Sequence, residues 1–160
     1  MRFTLIKDLK KDKSMSPILS GLLIFMALYM IIDIFVKQNS FGLWASEIKN
    51  TLFGNENEFL DPISKASFLE FIHMEIFFIM MILLTLSTVF IRLSNKLPYS
   101  LVLVNLTMLT ALSSLFSLGI AYFYSPSFIN IYVTTYLIWH ITSFYMIIYS
   151  LWKLNFAKSI

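Results

Sequence analysis

Two histidines, His73 and His140, lie in long apolar stretches of a chain that has no cysteine. A polar ring at membrane depth needs a partner, and the chemistry that would supply one is the first question these residues raise. Axial histidines on facing helices of a four-helix bundle can hold b-type haem, so His73 and His140 are the candidate cofactor-binding pair. The offset in depth opposes this: His73 stands about six residues inside its span and His140 about twelve, a mismatch of about 9 Å that helix tilt absorbs only in part.

A second chemistry starts from Glu70-x-x-His73. Positions three apart on a helix project together, and this is the spacing of di-iron carboxylate sites. A copper or iron ion near the outer face would take Glu70 and His73, with Asp33, Glu75 or His140 completing the set. The nine methionines add soft ligands suited to copper. Only one copy of the motif is present, and Glu75 projects away from the Glu70–His73 face. Asp33 has a simpler partner in Lys37, four residues on, with which it would pair at the outer membrane boundary.

The absence of cysteine removes disulfides, thiolate metal sites, iron–sulfur clusters and cysteine nucleophiles together. No Ser–His–Asp, phosphate-loop or zinc-protease pattern occurs, so the chain reads as non-enzymatic. A net charge of +3, concentrated near the ends, gives no nucleic-acid surface.

The elements that position these residues follow from composition. Hydrophobic residues make up 58% of the 160 and charged residues 13%, a balance that requires lipid as solvent. Spans are expected at about 18–36, 66–91, 99–123 and 128–152 within a single transmembrane domain, 1–160, with an external loop at 37–65. The predicted fold class is all-α, an integral membrane four-helix bundle. Pro17, Pro98 and Pro126 fall near the starts of three spans, where proline is tolerated.

Lys and Arg favour the cytoplasmic side. Arg2, Lys7, Lys10, Lys11, Lys13, Arg92, Lys96, Lys153 and Lys158 share one side, against Lys37, Lys49 and Lys65 on the other, which predicts N-in and C-in. The basic leader and first span resemble a signal peptide in outline. However, the apolar run is too long and no small-residue cleavage site follows, so it reads as a retained anchor.

Within the external loop, Trp44, Ile48 and Leu52 recur at helical spacing and Gly54 stands where a helix would stop, predicting a short amphipathic interfacial helix. Asp61-Pro62 reads as the cap and first turn of the second span. Glu56, Glu58 and Asp61 form an acidic turn whose spacing matches no calcium loop.

On the third span Thr107, Thr110, Ser114, Ser117 and Ala121 fall on one stripe, a packing seam of small residues. On the fourth, Tyr132, Tyr136, His140, Ser143 and Ser150 form a polar column, and on the second Glu70, His73, Phe77, Met81 and Thr88 share a face. The functional expectation is a small subunit or accessory protein of a larger complex in the bacterial inner membrane. Its partners would be lipids and other membrane subunits. A transporter fits less well, because no span is broken by paired Gly or Pro and no repeated half is apparent.

Overall fold

A backbone in hydrocarbon has no water to bond its N–H and C=O groups, so each apolar run must close its own bonds as a helix. The computed structural model describes residues 15–94 and 98–156. Among the described residues, four helices are long and apolar enough to cross a membrane: α1 (Met15–Ser40), α3 (Lys65–Leu93), α4 (Ser100–Phe123) and α5 (Ile129–Asn155). The short helix α2 (Ala45–Phe53) lies between the first two spans. Arg2, Lys7, Lys10, Lys11, Lys13, Lys96 and Lys158, on which most of the orientation argument rests, lie outside the described residues.

The core forms around α5. Its packing against α4 is the most extensive in the bundle, and Val104, Thr107, Ala111, Ser114, Ser117, Leu118 and Ala121 are all buried there. Small side chains let the two backbones approach. Two hydroxyls of this seam turn back on their own helix: Thr107 donates to the Leu103 carbonyl at 2.9 Å and Ser114 to that of Ala111 at 2.8 Å. The stripe is therefore a packing surface in which Thr107 and Ser114 are satisfied locally.

α1 is the least enclosed span, with 22% of its most hydrophobic window buried against 39–44% in the others. Its start meets the end of α5 where the Ser20 hydroxyl donates to Asn155 Oδ1 at 3.5 Å, so the two ends of the described chain share one end of the bundle. The opposite end carries α2 and the short turn Pro126–Phe128. Tyr122, near the end of α4, reaches the Ile63 carbonyl at 3.4 Å there.

α1 continues beyond the apolar run to Ser40, so Lys37 belongs to the helix and not to the loop. It ends at Gly42, whose N–H bonds the Lys37 carbonyl at 2.7 Å with φ at 89°, a conformation a side chain would strain. Gly54 closes α2 in the same way at φ 79°, and a Cβ there would sit 2.8 Å from the Leu60 carbonyl oxygen. The apolar face of α2 turns onto the bundle, burying Ile48 and Leu52, while Trp44 stays 64% exposed.

The start of α3 differs from the expectation at Asp61-Pro62. Ser64 is the cap, its Oγ accepting from Ser67 N at 3.1 Å. The Ile63 N–H is committed to the Thr51 carbonyl at 3.0 Å, and residues 61–63 stay outside the helix.

Candidate functional site: a charged cluster inside the bundle

Three helices contribute ionisable side chains to one interior point near the α2 end. On α1, Asp33 and Lys37 are one turn apart and therefore on the same face. Lys37 Nζ lies 2.9 Å from Asp33 Oδ2 and 2.8 Å from Glu75 Oε2 on α3. Its ammonium also sits over the Tyr136 ring of α5, 4.6 Å from the centroid, where the ring's negative face attracts it. The Lys37 side chain is 3% exposed, and those of Asp33 and Glu75 are 12% and 13% exposed. Taking charges out of water costs several kcal/mol per ion, a cost offset only by close pairing of this kind.

α5 adds the second half of the site. Tyr136 donates its hydroxyl to Asp33 Oδ2 at 3.4 Å. One turn on, His140 stacks beside both Tyr136 and Trp139, with ring centroids 4.1 Å away in each case. Its Nδ1 lies 3.1 Å from the Tyr136 carbonyl, and its Nε2 lies 3.6 Å from Asp33 Oδ2 with no hydrogen-bond partner. His140 is thus interior, at 3% exposure, as its place in the α5 column predicts.

The candidate ligands do not all converge. Asp33, Glu75 and His140 come together around Lys37, whereas Glu70 and His73 lie exposed on the outward face of α3. The two histidines are therefore not brought together within this chain, and Glu70-x-x-His73 does not face the interior cluster. Among the described residues no group of three or more His, Asp or Glu side chains is arranged to hold a metal.

Haem ligation by His73 and His140 requires the Glu70–His73 stripe of α3 to face inward. The structure turns the helix so that Phe68, Ile79, Ile82, Leu86, Val89 and Leu93 are buried, and Glu75 belongs to that stripe. The signal was available: these positions recur at three and four residues and are mostly Ile and Leu, whereas Glu70 and His73 share their face with Phe77 and Met81, both about half exposed. Lys37 was missed as an interior residue because it follows the last apolar residue of its span.

Outside the four spanning helices, Glu47 caps the start of α2. Its carboxylate accepts from the Trp44 N–H at 3.2 Å and the Leu43 N–H at 3.0 Å. These backbone bonds favour the charged form and hold its carboxyl below the usual range.

Four apolar helices packed around a largely apolar core, with one charged cluster inside it, define an integral membrane helical bundle. The family model for the Aq_1264_TM transmembrane helical domain matches residues 42–159, well over half of the chain, and the protein belongs to that family. The matched segment includes Glu75, Tyr136 and His140 and begins after Asp33 and Lys37. No curated protein and no solved structure matches the chain.

Proposed function

We propose that the protein is a small non-catalytic subunit or accessory protein of a larger complex in a bacterial inner membrane, with both termini in the cytoplasm. The observation that carries this reading is the outward face of α3. Glu70 and His73 are exposed there and, among the described residues, make no hydrogen bond or ion pair. His73 stands about 12 Å along a helix about 43 Å long, and a bilayer core of about 30 Å leaves it inside the hydrocarbon region. Polar side chains at that depth pair with protein rather than acyl chains. The wide apolar exterior of α1, with Phe25 and Phe35 among its exposed residues, offers further surface for helix contacts.

A photo-crosslinking amino acid placed at His73 or Phe77 in cells tests this directly. The expected result is a discrete adduct with another membrane protein from both positions. Lipid adducts alone, from a chain that migrates as a single small particle in native nanodiscs, would overturn it.

A further inference from the structure

The interior cluster does not balance in charge when the imidazole is neutral. Asp33 and Glu75 bring two negative charges, and Lys37 brings one positive charge within 2.9 Å of both. One uncompensated negative charge at spanning depth costs several kcal/mol, and one further positive charge would close the account.

The geometry of His140 shows where that charge fits. A backbone carbonyl can only accept, so Nδ1, 3.1 Å from the Tyr136 carbonyl, carries a hydrogen. The remaining nitrogen, Nε2, is buried, has no hydrogen-bond partner and faces Asp33 Oδ2 at 3.6 Å. In a neutral ring this sets a lone pair against a carboxylate oxygen, two acceptors face to face. With a second proton, Nε2 points an N–H at the carboxylate. A modest approach then forms a charge-assisted bond of about 2.7–2.9 Å.

We propose that His140 and Asp33 form a proton-binding site, in which Nε2 of His140 takes up one exchangeable proton and holds it against Asp33. Uptake forms one N–H bond and converts the imidazole to imidazolium, taking the cluster from one net negative charge to neutrality. Release breaks that bond and hands the proton to a water molecule reaching the site from the α2 end, the end of the bundle nearer to the cluster. The groups that set occupancy come from three helices. α1 supplies Asp33, Lys37 and the Tyr29 phenol, α3 supplies Glu75, and α5 itself supplies Tyr132 and Tyr136. The two carboxylates attract the proton and the ammonium repels it. α4 and α2 also pack on α5, but among the described residues neither contributes an ion pair here. The site is independent of whether the protein belongs to a complex.

The test is nitrogen NMR of the full chain, labelled at histidine and held in bilayers, from about pH 5 to about pH 9, the range in which imidazoles exchange protons. There are only two histidines, and His73→Asn assigns the signals. The expected spectrum has both His140 nitrogens protonated in the lower part of the range, with Nε2 alone passing to the lone-pair form in one step. At a pH where the unaltered protein holds the second proton, Asp33→Asn should lose it and Glu47→Gln should not. A lone-pair Nε2 throughout the range would overturn the proposal, and that reading of the unaltered chain stands even if Asp33→Asn fails to fold. So would an infrared band of a protonated carboxyl that disappears in Glu75→Gln while His140 stays neutral, because the proton would then belong to Glu75.

Discussion

Replacing Lys37 with Met removes the one cation that two interior carboxylates share while keeping most of the side-chain volume. If the Asp33–Lys37 pair sat at the membrane surface, losing it would cost about 0.3–0.5 kcal/mol, the worth of an exposed pair one helical turn apart. The structure places Lys37 at 3% exposure against both Asp33 and Glu75, so the loss leaves two buried carboxylates facing each other. Breaking a buried pair by removing one partner costs about 3–5 kcal/mol. At 1.4 kcal/mol per tenfold, that is more than about 100-fold in the unfolding constant. Reversible unfolding of the purified protein in mixed micelles, followed by loss of helical circular dichroism, reads this difference. A cost below about 1 kcal/mol would refute the buried cluster and return Lys37 to the surface.

Three further outcomes are expected. Ser114→Leu should cost about 1–3 kcal/mol by overpacking the α4–α5 seam, where Ser114 is 1% exposed, while Leu115→Ile should be mild; the same unfolding assay checks both. Because Glu47 has its carboxyl held down by the Trp44 and Leu43 N–H groups, its contribution to α2 is present above the ordinary carboxyl value and is lost as pH falls through its lowered folded value. Hydrogen exchange across α2 should therefore quicken on acidification, and Glu47→Gln should weaken that dependence. Cysteines placed at Glu56 and Ser125 should both label with an impermeant reagent from outside the cell, and protection of either would mean that the assignment of the spans is wrong.

The spans are readable from sequence because lipid leaves an apolar chain one way to bond its backbone. The α4 seam was equally legible, since Thr107, Ser114 and Ser117 recur at helical spacing among Leu, Met and Phe. His140 followed from the same counting on α5. The rotation of α3 did not follow: its polar stripe and its aliphatic stripe compete for the interior, and the aliphatic one takes it, with Ile79, Ile82 and Leu86 buried and Phe77 and Met81 about half exposed. Glu75 is carried inward with that stripe. Lys37 was illegible for a different reason, because nothing near it in sequence records that a carboxylate 38 residues later would meet it.

α1 joins the bundle through a charge cluster shared with α3 and α5, and a double-mutant cycle between Lys37 and Glu75 tests this most directly. The variants are Lys37→Met, Glu75→Gln and the pair together, each unfolded in the same micelles. Residues in one ion-pair network show coupling of about 0.5–3 kcal/mol, and a buried contact at 2.8 Å should fall in the upper part of that range, with the double variant more stable than the sum of the single losses allows. Losses that simply add, within about 0.5 kcal/mol, would mean that the two side chains do not meet in the membrane.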